Sequence, residues 1–207
     1  MNRFDAIALV SGALADEPVV VSLGHPAYEL FAAGDRPLNF YTWGSMGLTS
    51  SIALGLALAC PQRRVVALDG DGSLLMNLGS LATIAACSPP NLLVLVLDNG
   101  QYGTTGGQAT ATARGADLGA AARAMGVTRA ATVSDPAGLQ GALDASRTEP
   151  GPWVIVVKVT ESAPTTKPPL DCVYIKQRFM AALGCSGMPG SAGKARAAST
   201  SGSRRRP

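Results

Sequence analysis

Two short turns hold the residues best suited to chemistry: Gly70-Asp71-Gly72-Ser73 and Asp98-Asn99-Gly100. Asp71 offers a hard carboxylate oxygen, and the side-chain carbonyl of Asn99 offers a second oxygen. Mg²⁺ takes such oxygens in an octahedron and usually completes it with phosphate and water. Gly70 and Gly72 allow a tight turn and a close approach of ligand to backbone. The amides of Gly72 and Ser73 should open a helix beginning near Leu74, and a helix N-terminus favours phosphate. Together the turns are suited to cradle a Mg²⁺-diphosphate. A single Gly-Asp-Gly is a common turn and would not carry that reading.

The setting makes the pair informative. Each turn follows an apolar run that reads as a strand, 65–68 and 92–97. Ser73 to Leu97 spans 25 residues, which fits a turn, a crossover helix and a second strand. The strands are then parallel neighbours, and both turns lie at the carboxyl edge of the sheet, where open α/β sheets bind ligands.

The rest of the chain supplies alternating elements. Helices are expected at 3–15 and 27–33. A strand at 18–23 ends in Gly24-His25-Pro26, and an extended run covers 39–43. Gly44-Ser45-Met46-Gly47 opens a helix of small residues that Pro61 ends; small side chains suit deep burial or an interface. One crossover helix covers 74–86. Residues 100–113, rich in Gly and Thr, cannot build core and should form a loop over the ligand edge. Helix 117–125 and strand 129–133 follow. Asp135 caps helix 136–146, with Pro136 in its first position. Strand 153–159 is continuously apolar, as if buried on both faces. A short helix at 170–183 closes the ordered chain. This is an α/β pattern of three layers around a mostly parallel sheet. It gives one domain, 1–182, and a basic tail, 183–207, whose Gly/Ser/Ala/Pro/Arg composition predicts disorder.

Charge and cysteine usage exclude several classes. Lys and Arg number 17 against 14 Asp and Glu, a net charge of +3. Five of the basic residues (Lys194, Arg196, Arg204, Arg205, Arg206) fall in the tail, which has no acidic ones, so the body is mildly acidic. No nucleic-acid surface follows from it. Cys60, Cys87, Cys172 and Cys185 are scattered and suggest neither disulfide framework nor iron–sulfur cluster. No stretch is long and apolar enough to span a membrane, and no signal pattern opens the chain. A cytoplasmic protein is the expectation. Trp43 stands where a nucleophile elbow needs glycine, and Leu75 breaks a dinucleotide fingerprint starting at Gly70.

Gly70-Asp71-Gly72-Ser73 followed one crossover later by Asp98-Asn99 resembles the signature of thiamine diphosphate enzymes, Gly-Asp-Gly and then Asn-Asn. The resemblance implies a thiamine diphosphate-binding fold with thiamine diphosphate and Mg²⁺ as cofactors. Asp71, Asn99 and the main-chain carbonyl of Gln101 would be the metal ligands, with Gly70, Gly72 and Ser73 around the diphosphate. Asp98 departs from the family's Asn, but the ligand position, Asn99, is kept. Gly44-Ser45-Met46-Gly47 matches a second family feature. The Gly44 carbonyl would accept from the aminopyrimidine, and Met46 would wedge beneath the cofactor and hold it bent. Read alone, the same residues are a helix start with a core methionine. His25, the single histidine, would contact the diphosphate or the substrate acid group; on its own it is equally a turn histidine. Tyr102, Thr104, Thr105 and Gln108 could reach substrate.

Within that family, residues 34–47, 69–85 and 97–108 most resemble sulfopyruvate decarboxylase β subunits and the C-terminal half of phosphonopyruvate decarboxylases. The resemblance covers about residues 3–182 and implies non-oxidative decarboxylation of a 3-substituted pyruvate, a 2-oxoacid. The family also needs a glutamate to activate the pyrimidine, carried on a separate pyrimidine-binding domain. Glu17 and Glu149 fall in turns, Glu29 on an early helix, and Glu161 at the start of the tail; none has that setting. The chain therefore resembles one half of a split enzyme, expected to form a heteromer with a pyrimidine-binding-domain subunit. The rival readings are half of another thiamine enzyme (acetolactate-synthase-like, or a 2-oxoacid oxidoreductase β subunit) and a non-catalytic diphosphate-binding regulatory module.

Overall fold

The computed structural model describes residues 1–185; residues 186–207, most of the expected tail, lie outside the described residues. Helix α1 (Arg3–Ala13) is capped by the Asn2 side chain, which accepts from the Asp5 amide. Strand β1 (Val19–Val21) leads through Gly24 into α2 (His25–Gly34), and β2 (Asn39–Tyr41) follows. Helix α3 (Thr49–Ala59) precedes β3 (Val65–Gly70). Two short helices, α4 (Asp71–Met76) and α5 (Ser80–Cys87), connect to β4 (Leu92–Asp98). After a small hairpin come α6 (Leu118–Ala124), β7 (Arg129–Val133), α7 (Pro136–Thr148), β8 (Trp153–Lys158) and α8 (Cys172–Ala182). The last three helices carry aspartate caps, with Asp117, Asp135 and Asp171 each accepting from an amide three residues on.

Six strands form one parallel sheet in the order β2-β1-β3-β4-β8-β7. Its alternation sorts the side chains into two cores. Val66, Leu68, Leu93, Leu95, Ile155 and Val157 face α1, α2, α7 and α8. Ala67, Val94, Val96, Val154 and Val156 face α3, α4, α5 and α6. Both faces are covered, which is why β3, β4 and β8 read as unbroken apolar runs. Each fully buried Leu contributes roughly 1.5–3 kcal/mol of burial. The three-layer α/β/α expectation holds. The order reverses between β1 and β3, so the crevice between their carboxyl ends is the switch point where such sheets bind ligands.

Three expectations need correcting. The crossover is two helices, not one over 74–86, and the first begins at Asp71 rather than near Leu74. The chain breaks at Asn77, whose amide reaches Ser51 of α3. The small-residue helix begins at Thr49, because Ser45 and Gly47 take positive φ (63° and 86°) and keep Gly44–Leu48 as a loop. Residues 100–113 are not a plain loop. Strands β5 (Gln101–Tyr102) and β6 (Gln108–Ala109) pair antiparallel, and the chain then buries Thr110 and Thr112.

Candidate functional site

A cleft of about 280 Å³ opens at the carboxyl edge beside the switch point. His25, Met46, Gly70, Asp71, Gly72, Ser73, Asn99 and Gln101 all line it. Gly44 does not; it sits exposed two residues before Met46. Tyr102, Thr104 and Thr105 also line it, whereas Gln108 points its amide back to the Thr105 carbonyl.

Adjacent strand ends deliver the two turns. β3 and β4 pair with Gly70 opposite Leu97, which sets Asp71 and Asp98-Asn99 side by side. Asp71 is 1% exposed. Its Oδ2 accepts from Thr110 Oγ1 at 2.6 Å and lies 3.0 Å from Thr112 Oγ1. Thr112 Oγ1 is also 2.7 Å from Asp98 Oδ1. That hydroxyl has one proton, so it can donate to only one of the two carboxylates at a time. Burial, and secondarily the charge of Asp98, hold the Asp71 carboxyl above the usual carboxylate range, against the opposing hydroxyl bonds. A buried, under-compensated carboxylate fits a cation. Among the described residues no three His, Cys, Asp or Glu side chains gather to hold a metal. A cation here would therefore depend on amide, carbonyl and phosphate oxygens as well as Asp71, which suits Mg²⁺.

Asp98, the departure from Asn-Asn, has its own counter-charge. Its cross-strand partner in the β4–β8 register is Lys158, whose Nζ bonds Asp98 Oδ2. Asn99 is held on both amide atoms: Oδ1 accepts from the Gln101 amide at 3.2 Å, and Nδ2 donates to Glu161 Oε1.

The backbone comes close where a diphosphate would need it. A Cβ on Gly72 would lie 2.4 Å from the Tyr102 ring, and one on Gly47 3.0 Å from Met76 Cβ. Ser73 uses its hydroxyl to accept from the Gly47 amide at 3.0 Å, tying the Met46 loop to the start of α4. Beneath them Asp69 is fully buried. Its Oδ1 accepts from the Gly70 amide, its Oδ2 has no partner, and burial pushes its pKa up to about 6.

Sequence reasoning missed the wall beside His25. Glu161, expected to begin a tail, instead follows β8 at the same sheet edge. Arg3 donates to it at 3.0 Å, and His25 Nδ1 is 3.7 Å away. Arg3 is itself buried and paired with Glu29 through two nitrogens. Burial, then the Arg3 charge, depresses the His25 pKa, while Glu161 opposes them. A parallel bridge of Asn2 to Thr160 helps bring these residues together, and nothing in either segment alone announces it.

Residues 25–157 match the thiamine pyrophosphate enzyme family, C-terminal TPP binding domain (thiamine pyrophosphate, TPP, is thiamine diphosphate). The sulfopyruvate decarboxylase subunit beta of Methanococcus maripaludis is 41% identical over 186 residues, covering 88% of this chain and 98% of that one. The phosphonopyruvate decarboxylase of Streptomyces viridochromogenes is 43% identical over 140 residues, 68% of this chain but only 35% of the longer protein. The fold is that of benzoylformate decarboxylase from Polynucleobacter necessarius, with a TM-score of 0.66 at 22% identity over 82% of this chain and 34% of that one. The chain thus spans a whole separate subunit but about a third of longer proteins in the family. It belongs to the thiamine pyrophosphate enzymes and carries their C-terminal, TPP-binding domain.

Proposed function

We propose that this chain is the diphosphate-binding subunit of a two-subunit, thiamine diphosphate-dependent 2-oxoacid decarboxylase, with sulfopyruvate or phosphonopyruvate as substrate. The observation that carries it is Asp71, a buried carboxylate beside Asn99 in a cleft at the switch point, in a chain that aligns with nearly all of a separate β subunit. Asp71, the Asn99 amide oxygen and the Gln101 carbonyl would hold Mg²⁺. Gly70, Gly72 and Ser73 would border the diphosphate, while Gly44 and Met46 would meet the pyrimidine end. His25 would face the diphosphate or the substrate acid group. Bound thiamine diphosphate supplies the electron sink that 2-oxoacid decarboxylation requires. The chain's own residues would orient the charged end, with the Tyr102 ring packed over Gly72 beside it.

The same reading requires a partner. Pyrimidine activation needs a carboxylic acid free to face it, and all four glutamates here are engaged. Glu17 pairs with Arg64, Glu149 with Arg129, Glu29 with Arg3, and Glu161 with Arg3 and Asn99. A subunit with a pyrimidine-binding domain would supply that acid. The test is CO₂ or aldehyde release from sulfopyruvate and phosphonopyruvate, by the highly purified chain alone and after mixing with a similar-sized subunit carrying such a glutamate. No turnover alone and turnover on mixing is the expected result; robust turnover by the single chain would overturn it.

A further inference from the structure

Glu161 lies outside every motif discussed, yet it touches three of the walls of the cleft. Its Oε1 accepts from Asn99 Nδ2, and its Oε2 accepts from Arg3 Nη1 at 3.0 Å with His25 Nδ1 at 3.7 Å. Oε1 also lies 3.1 Å from where a Cβ on Gly103 would be, so the carboxylate packs on the hairpin backbone as well. It is held from behind. Arg3 is 3% exposed, its Nε and Nη2 grip Glu29, and Nη2 also donates to the Ser162 carbonyl. The backbone bond from the Arg3 amide to the Thr160 carbonyl, at 3.0 Å, fixes the segment's register.

We infer that Glu161 is a positioning residue that sets the rotation of the Asn99 amide, presenting its oxygen rather than its NH₂ to the cation site. An amide side chain has two nearly isosteric ends, one donor and one acceptor. Packing alone does not choose between them. A carboxylate accepts and never donates while ionised, so it can face only the NH₂ end. The Gln101 amide, 3.2 Å from Oδ1, selects the same rotation from the other side. Partners behind a metal ligand fix its orientation, and losing them typically costs about 10- to 100-fold in metal affinity.

This inference rests on the Mg²⁺-diphosphate reading of Asp71 and Asn99, and it makes a prediction that inverts the usual order of conservative changes. Glu161→Gln keeps the shape but has one acceptor for two donors. The charged Arg3 takes that oxygen, so the new NH₂ meets Asn99 and turns its amide around. Glu161→Ala leaves water on that side, which accepts either rotation, so only the Gln101 amide still favours the native one. Thiamine diphosphate binding to the full chain would be followed by calorimetry across a Mg²⁺ series, with melting temperature measured in the absence of Mg²⁺. The expected result is a half-saturating Mg²⁺ concentration raised about tenfold or more in Glu161→Gln and by a smaller factor in Glu161→Ala. Melting temperature without Mg²⁺ should not distinguish Gln from wild type. A milder effect of Gln than of Ala, or wild-type Mg²⁺ dependence in both, would overturn the inference. Asp71→Ala in the same series separates the two levels. If it binds like wild type, or wild type shows no Mg²⁺-dependent binding, the site reading itself fails and takes the inference with it.

Discussion

At the scale of single residues, the site is an arrangement of charges that offset one another. Asp98 is nearly buried, and Lys158, 43% exposed, is its cation. Lys158→Met should destabilise the chain by about 1–2 kcal/mol, discounted from a fully buried pair because Lys158 is part-exposed. Asp98→Asn in the same chain should restore most of that loss, since the amide needs no counter-charge. Denaturant unfolding of the two singles and the double measures the coupling, and simple additivity would show that the pair is not energetically linked. Asp69 makes a pH prediction. Its folded-state pKa of about 6 exceeds the ordinary 3.8, so protons bind the folded form more tightly. Stability should therefore decline as pH rises from about 4 to about 6 and level off above, by on the order of 2–3 kcal/mol. Asp69→Asn should flatten that slope and raise the melting temperature at pH 7; an unchanged pH profile would assign the slope to other groups.

At the scale of elements, the β5–β6 hairpin is held to the sheet edge by polar bonds more than by apolar contact. Thr110 and Thr112 pin it to Asp71 and Asp98, and Tyr102 lies over Gly72. Thr112→Val keeps the shape and removes the one hydroxyl proton that Asp71 and Asp98 share, a cost of about 1–3 kcal/mol. Because a cation would relieve the same shortage, Mg²⁺ with thiamine diphosphate should recover part of the loss. Thermal unfolding with and without them checks this, and an unaltered melting temperature would mean the hairpin is anchored elsewhere. The hairpin was only half legible. Its glycines and threonines marked irregular backbone at the ligand edge, but a threonine reads as solvated until a buried carboxylate appears opposite it.

At the scale of the molecule, two apolar side chains stand exposed beside the cleft, Met76 of its lining and Leu48 next to Gly47. Met76 is 61% exposed and Leu48 45% exposed, and Gly47 packs directly against the Met76 side chain. In the proposed heteromer both should be covered. Met76→Arg should leave the unfolding free energy of the isolated chain within about 0.5 kcal/mol of wild type, as surface changes do. It should prevent association with the partner, read by sedimentation or light scattering; a heteromer of undiminished affinity would move the interface elsewhere.

The sequence by itself determined the sheet, its parallel sense, and the turns that carry Asp71 and Asn99. Those are local facts: a run of apolar residues buried on both faces, a crossover of fixed length, glycines where the backbone must turn. Ser73 and His25, each just past a strand end, were placed at the same edge by the same reasoning, whereas Met46 was placed there by resemblance. Tertiary structure alone decided what surrounds them. Helix α4 starts at Asp71 and ends at Asn77, whose side-chain amide donates to Ser51 of α3. Lys158 meets Asp98 through strand register, a relation across 60 residues. Glu161 looked like the start of a tail because residues 162–169, which follow it, carry no apolar periodicity. It comes to back Arg3, His25 and Asn99, which line the cleft, because the first residues of the chain, through Asn2 and Arg3, hold its segment beside β4. Periodicity records what one element buries, whereas the partners of a charge are chosen by the packing of elements distant in the chain.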